Sequence, residues 1–337
     1  MYIDLRSDTV TTPTSSMRAA MAAAEVGDDV YREDRLVQQL ESRAAQLLGK
    51  EAGLLLPSGT MGNLAAVMAC CQRGDEIIME DQMHMFWYEV AGIAALAGVQ
   101  IRTVPGRKGA ITAQQVTEAV RAEDIHFPQT KMLCLENTHN RAGGTCMSKE
   151  QMDQLCTAAR QAGLWVHVDG ARIFNAAVAL GCKPADLVAE ADSVMFCLSK
   201  GLAAPVGSLL VGPRAFIEQS RKCRKMLGGG MRQAGVLAAA GLISLSEMLP
   251  RLPEDHKTAQ TLAQGLANLG AQVDMETVQT NMVRYKVPVP AADFASQLSQ
   301  RGILAGVTGP DSIRMVTHYQ VSRNHIETVL SAVSDIL

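Results

Sequence analysis

The chain has 337 residues, 47% of them hydrophobic and 19% charged, a length and composition that suit an ordered globular protein with a large buried core. A formal net charge of -3 leaves no basic footprint for nucleic acid or for an anionic membrane, so neither partner is expected. The eight cysteines form no C-x-x-C pair and several fall in apolar runs, which reads as reduced, mostly buried thiols. Residues Met1 to Asp8 carry charges where a signal peptide would be apolar, and no run reaches the ~18 apolar residues of a membrane span. A cytoplasmic location is therefore expected.

In chain order, a short helix carrying Met17, Ala20, Met21 and Ala24 follows a turn-rich start that suits an arm packed across the body. Asp34 is placed to cap a helix with Leu36, Leu40, Ala44 and Leu47 on one stripe, stopped by Gly49. Apolar strands are predicted at Gly53–Leu56, Glu76–Met79, Gln100–Val104, Lys131–Leu135, Leu164–Val168, Ser193–Leu198 and Ser208–Val211, alternating with helical patterns. That alternation argues for an α/β fold: a mostly parallel seven-stranded sheet flanked by helices. After Pro250 and Pro253, read as a hinge, the pattern restarts with a helix at 254–269, a strand at 281–286, a helix near 291–301, a strand at 312–316 and a terminal helix. The expected organisation is an arm over 1–14, a large domain over 15–249 and a smaller α/β domain over 250–337.

Three constellations carry chemistry. The segment Leu54 to Asn63 reads strand, tight turn, helix start, so the N–H groups of Gly59, Thr60 and Met61 with the Ser58 and Thr60 hydroxyls make an anion site suited to phosphate; the alternative is an ordinary Ser/Thr cap. Asp169 ends an apolar strand, where a buried carboxylate calls for a cation such as a protonated pyridine or an arginine; the alternative is a helix cap. Arg172, three residues on, has a fork that suits a carboxylate or a phenolate-like oxygen. Lys200, between Ser199 and Gly201 at another strand end, can serve as a desolvated nucleophilic amine, or can simply extend its charged end into solvent. A Schiff-base lysine and a pyridinium-pairing aspartate are what pyridoxal 5'-phosphate requires, and ligands bind at the C-terminal edge of open α/β sheets.

Two histidines stand out. His84 lies in an aromatic stretch beyond the second strand and can stack on a flat ring or pack in a loop; His126 reads as a general base or a surface turn residue. Neither has metal-ligand spacing, so no metal is expected. The absence of G-x-S-x-G and of G-x-G-x-x-G argues against a hydrolase triad and a nicotinamide dehydrogenase.

Ordered motifs over essentially the whole chain resemble the pyridoxal-phosphate-dependent threonine aldolases (low-specificity L-threonine and L-allo-threonine) of fold type I, the aspartate-aminotransferase fold. They are Asp4-Leu5-Arg6-Ser7-Asp8-Thr9, Val26-Gly27-Asp28-Asp29-Val30-Tyr31, Glu136-Asn137-Thr138-His139-Asn140, Val168-Asp169-Gly170-Ala171-Arg172, Leu198-Ser199-Lys200-Gly201, Pro205-Val206-Gly207-Ser208, Gly228-Gly229-Gly230-Met231-Arg232 and Arg314-Met315-Val316-Thr317-His318. The chain departs at Tyr31-Arg32-Glu33-Asp34-Arg35, where many relatives carry Tyr-Gly-Glu-Asp-Pro, and is bulkier around His84-Met85-Phe86-Trp87.

The resemblance implies that Lys200 holds the cofactor, Asp169 pairs with its ring nitrogen, His84 stacks on the ring, and Ser58, Gly59, Thr60 and Met61 hold its phosphate. Ser7, Arg172 and Arg314 match positions that bind the substrate carboxylate, and Tyr31 borders the substrate. Lys225 and Arg232 match basic positions that reach the site from a neighbouring subunit, which implies a homodimer, often paired into a homotetramer. The implied reaction is retro-aldol cleavage of a β-hydroxy-α-amino acid to glycine and an aldehyde, with His126 or His84 as the base on the β-hydroxyl, directly or through water. Competing readings are another fold type I reaction (β-elimination, decarboxylation or transamination), or a cofactor-binding protein without turnover.

Overall fold

The computed structural model describes residues 2–337; Met1, the first residue of the expected arm, lies outside them. The arm begins with β1 (Ile3–Asp4) and leads into α1 (Ser15–Ala22). Helix α2 (Arg35–Leu47) starts where expected, because Asp34 Oδ1 accepts from Val37 N–H at 3.2 Å. Its buried stripe is Val37, Leu40, Ala44 and Leu48, rotated slightly from the predicted one, and Gly49 ends it at φ 64°. Arg32 adopts the left-handed conformation at φ 60°, which glycine takes without strain. Its side chain pairs with Glu218, and its carbonyl accepts from Gln38.

The large sheet and its helices follow: β2 (Ala52–Leu56), α3 (Gly59–Cys70), β3 (Glu76–Glu80), α4 (His84–Trp87), β4 (Gln100–Val104), α5 (Ala113–Ala119), β5 (Thr130–Glu136), α6 (Lys149–Gln161), β6 (Trp165–Asp169), α7 (Ile173–Leu180), α8 (Pro184–Leu187), β7 (Ser193–Cys197) and β8 (Ser208–Gly212). Strand order is β2-β8-β7-β6-β5-β3-β4, seven strands as predicted. Only β8 runs against the rest, pairing antiparallel with both β2 and β7. The link from Cys197 to Ser208 has no helix, and a short helix-free link returns a strand antiparallel; a parallel return needs a longer crossover. All the other strands therefore end at one edge.

Helices α9 (Arg214–Met226), α10 (Gly235–Ile243) and α11 (Leu252–Asn268) lead to the second unit. Pro250 and Pro253 do not break the chain here: a π turn and a 3-10 turn join α10 to α11 as one helical stretch, Gly235–Asn268. Each proline occupies the first turn of its segment, where the missing N–H costs least. By length and composition this stretch could cross a membrane, yet half of its most apolar window is buried against the chain itself, as a core helix would be. The second unit comprises β9 (Gln272–Val273), β10 (Met282–Lys286), α12 (Ala291–Gln300), β11 (Ile303–Leu304), β12 (Gly306–Gly309), β13 (Ser312–Val316) and α13 (Arg323–Ser334). Its antiparallel sheet, ordered β12-β13-β10-β9, has a hydrophobic cluster of its own. Leu252 packs with the large core and Ala259 with the small one. The arm joins the two: β1 pairs with β11, while Thr11 Oγ1 donates to Lys200 O at 2.8 Å. All eight cysteines are free, four buried and four partly so.

Asp34 also accepts from Gly235 N–H at 2.8 Å and Gly27 N–H at 3.3 Å, so one buried carboxylate fixes α2, α10 and the preceding loop. Asp34→Ala would strand three backbone donors, and urea denaturation should show a loss of about 2–4 kcal/mol, with Asp34→Asn losing less.

Candidate active site

The common strand edge gathers Ser58–Met61 after β2, His84 after β3, Glu136–Asn140 after β5, Asp169–Arg172 after β6 and Lys200 after β7. Helix α3 sits tightly on β7 because two of its residues lack side chains. A Cβ on Gly62 would lie 2.7 Å from Met195 Cγ, and one on Gly59 3.0 Å from Cys197 Sγ. Ser58 Oγ accepts from Met61 N–H at 3.2 Å, the N-cap that the sequence allowed as an alternative. The Met61 amide is thereby occupied, a correction to the expected phosphate set. Gly59 and Thr60 keep their N–H groups at the helix N-terminus.

Asp169 is 1% exposed, yet no lysine, arginine or histidine nitrogen lies within ion-pair distance of it among the described residues. Its partners are Ala171 N–H at 3.1 Å and Asn63 Nδ2 at 3.0 Å. The expected arginine is not there: Arg172 is buried with its Nε 2.8 Å and Nη2 2.5 Å from the Asp8 carboxylate. The Arg172 fork does meet a carboxylate, but that of Asp8 in its own chain. Burial opposes the Asp8 charge, but Arg172 outweighs it and holds the carboxyl well below the usual carboxylate range.

His84 is fixed at both ends, its N–H donating to Glu136 Oε2 at 2.5 Å and its Nδ1 lying 2.9 Å from Glu89 Oε1. Single ligand atoms of His84, Glu89 and Asp169 all fall within 4.8 Å of one another. Burial disfavours the imidazolium, but the bond to Glu89 and the charges of Asp169 and Glu89 prevail and raise the His84 pKa. The Tyr88 ring lies 5.3 Å from the His84 ring, and its hydroxyl accepts from Arg141 Nη1 at 2.9 Å. Lys200 is half-buried; its carbonyl accepts from Ala203 N–H at 2.8 Å in a tight turn, and its charge acts on both Asp8 and His84.

Arg314, on β13, reaches the same cleft from the second unit. Its Nη1 donates to Asn140 Oδ1 at 2.9 Å and Nη2 to Arg6 O at 3.3 Å, while Nε is buried without a partner. No carboxylate pairs with it among the described residues, and burial followed by the nearby Arg172 charge lowers its pKa. Ser7 flanks this cleft in the arm, with Oγ accepting from Thr9 N–H at 3.2 Å.

The remaining expected residues are not brought to this cleft within one chain. Tyr31 is exposed, Lys225 lies exposed near the end of α9, and Arg232 is half-exposed with Nη1 donating to Asp28 Oδ2 at 3.0 Å. His126 precedes β5 and so lies at the opposite, N-terminal edge of the parallel strands, its side chain 81% exposed and its Nδ1 2.8 Å from Asp124. A base acting in its own chain's cleft cannot be placed there.

Residues 4–288 match the family model for beta-eliminating lyases. The chain is 46% identical to the probable low-specificity L-threonine aldolase 2 of Arabidopsis thaliana, covering 99% of this chain and 97% of that one. It is 44% identical to the low specificity L-threonine aldolase of Escherichia coli strain K12, covering 97% of each. The chain belongs to the threonine aldolase family. Its fold matches Leishmania major threonine aldolase with TM-score 0.86 at 17% identity, over 99% of both chains. Sphingomonas wittichii serine palmitoyltransferase matches with TM-score 0.79 at 18% identity, over 99% of this chain and 86% of that one.

Threonine aldolases of this family depend on pyridoxal phosphate, and the cleft fits that cofactor. Asp169 is a buried carboxylate with no cation of its own, Glu89 Oε2 is buried without a partner, and two amides at the α3 N-terminus are free for a phosphate. Sequence reasoning missed Asp8, Asn63, Glu89 and Glu136 as site residues. Asp8 and Glu136 lay inside quoted motifs but carried no local sign of a role; Asn63 and Glu89 sit on helix and turn positions that only the fold turns toward Asp169.

Asp8→Asn should lose about 3–5 kcal/mol at neutral pH, since it leaves Arg172 buried and unpaired. Because the folded carboxyl titrates below its ordinary value of 3.8, the Asp8 contribution is complete above that pH and is lost as pH falls below it. Urea titrations at stepped pH should therefore show wild-type stability falling more steeply than the variant's below about pH 4.

Proposed function

We propose that this protein cleaves L-threonine, L-allo-threonine and related β-hydroxy-α-amino acids reversibly to glycine and an aldehyde, using pyridoxal 5'-phosphate. The observation that carries the choice of reaction is the near full-length identity of 46% and 44% to low-specificity threonine aldolases. The cofactor, when bound, supplies an electron sink for the pair released as Cα–Cβ breaks. Lys200 anchors it, Asp169 supplies the fixed negative charge for its ring nitrogen, and the Gly59 and Thr60 amides with the Ser58 hydroxyl receive its phosphate.

Arg314, a cation without an acidic partner, receives the substrate carboxylate, with Ser7 and the paired Arg172 beside it. Holding the carboxylate decides which bond at Cα is presented for cleavage. His84 is the base in this reading. With Nδ1–H directed to Glu89, Nε2 takes the β-hydroxyl proton as the aldehyde C=O forms, and a proton returns to Cα to complete glycine. His126, with the exposed Ile125 and Phe127, serves a site only from a neighbouring subunit. Lys225 and Arg232 belong to the same reading, in which a homodimer completes each site and dimers pair into a tetramer in the cytoplasm. Exposed Val30, Tyr31 and Met226 near α9 and its flanking loop support that contact.

Incubation of the holoprotein with either threonine diastereomer should yield aldehyde and glycine in equal amounts; ammonia with a keto acid would instead favour the β-elimination suggested by the family model's description. Lys200→Ala should abolish turnover and the lysine-bound visible band together. Arg314→Ala should raise KM by about tenfold or more, the weight of a charge-assisted hydrogen bond. His84 must be neutral to accept a proton and its pKa is raised, so the rate should climb with pH through a midpoint above 6.5. That limb should vanish in His84→Asn, and its retention there would remove His84 as the base.

A further inference from the structure

A line of buried hydrogen bonds reaches Asp169 through side chains that none of the roles above uses. Trp165 Nε1 donates to Ser193 Oγ at 2.9 Å, and Ser193 Oγ lies 2.9 Å from His167 Nδ1. His167 Nε2 lies 3.1 Å from Asn63 Oδ1. Asn63 Nδ2 then bridges two carboxylates, Asp169 Oδ2 at 3.0 Å and Glu89 Oε1 at 2.9 Å. Strand pleat and register assemble the line: Trp165, His167 and Asp169 alternate onto one face of β6, and His167 pairs with Ser193 on β7. Asn63 comes from α3 on that face, and Asn63, His167 and Ser193 are all fully buried.

The direction of every bond follows by elimination. An indole N–H can only donate, so Ser193 accepts from Trp165 and is left with its own proton to give. Ionised carboxylates can only accept, so the Asn63 amino group must face Asp169 and Glu89, and its oxygen must face His167. His167 must then carry its proton on Nε2 and accept from Ser193 at Nδ1. Burial lowers its pKa to about 4, which keeps the ring neutral at working pH. Asn63 has two amino hydrogens and two buried acids to satisfy, and a flipped amide would set its oxygen against both.

We propose that Asn63 and His167 are positioning residues for Asp169: the Nε2–H of His167, with Nδ1 met by the Ser193 hydroxyl, holds the Asn63 amide so that Asp169 stays ionised and oriented toward the cofactor's ring nitrogen. The proposal rests on the pyridoxal phosphate reading of Asp169. It separates the group that meets the ring from the groups that decide that group's charge and direction.

The test begins with cofactor-free protein labelled with 15N at histidine. His167 should show the shifts of a neutral Nε2–H ring, unchanged from about pH 5.5 to 8.5; a Nδ1–H ring, or titration within that range, overturns the proposal. In the holoprotein, His167→Leu removes the donor to Asn63. It should weaken pyridoxal phosphate binding by about tenfold and lower kcat with little change in KM, the weight of one hydrogen bond to a charged group. His167→Gln, which can still donate to Asn63, should restore most of both. A His167→Leu protein that loses thermal stability but keeps wild-type cofactor affinity and kcat overturns the positioning role. Should His167→Leu not fold, Asn63→Ala takes its place: without the amide oxygen His167 loses the acceptor that fixes its proton, so the Nδ1–H tautomer should appear and pyridoxal phosphate affinity should fall by about tenfold, and either an unchanged tautomer or wild-type affinity overturns the proposal. Wild-type protein that takes up no pyridoxal phosphate would overturn both readings, whereas normal uptake with unaltered His167→Leu affinity overturns this one alone.

Discussion

Asp169 is the constraint around which the site is built: a carboxylate at 1% exposure with no cation at ion-pair distance among the described residues. An uncompensated buried charge costs several kcal/mol, and a fold keeps one only where something else meets it. Here two neutral donors, Ala171 N–H and the Asn63 amide, steady the charge without neutralising it. Gly59 and Gly62 let α3 settle on β7, which brings both Asn63 and the helix N-terminus to the same strand edge. One close helix-on-strand contact thus places a candidate anion site and the amide that steadies Asp169.

The cleft is also a joint between two units. Arg314 comes from the small sheet, Arg172 from the large one, and Asp8 from the arm that pairs with both. Asp8 neutralises Arg172 in full view of Arg314, so the two arginines do not compete as bare charges. Arg314 is left as the cation without an acid, and Thr11 ties the arm to the Lys200 carbonyl. Through Arg6 and Thr11 the arm therefore touches Arg314 and Lys200 alike.

Much of this was legible along the chain. Apolar runs of strand length bounded by turns located all seven large-sheet strands, and Asp34 marked the start of α2 by its capping chemistry. The positions of Asp169 and Lys200 at the ends of β6 and β7 were legible because a charge closing an apolar strand is conspicuous. The pairing of Arg172 was not legible, since nothing local announces that Asp8, more than 160 residues away in sequence, fills its fork. The placement of His126 away from its own chain's cleft was not legible, because the side of a sheet on which a loop lies follows from strand direction. Pro250 and Pro253 looked like a hinge, but a π turn and a 3-10 turn absorb their missing donors within a continuous helical path.

Residue order by itself determined the alternating elements, the caps and the strand ends that carry charge, because those depend on neighbours a few residues apart. Tertiary structure alone decided which charges are paired and which are left open. Asp169 and Arg314 stay without a counter-ion among the described residues while Asp8 and Arg172 take each other, and His167 finds its hydrogen-bond partners on α3 and β7. Pairing is a matter of distance and burial in three dimensions, and a hydrogen bond gains direction only when the donor and acceptor capacities of all its neighbours are brought together.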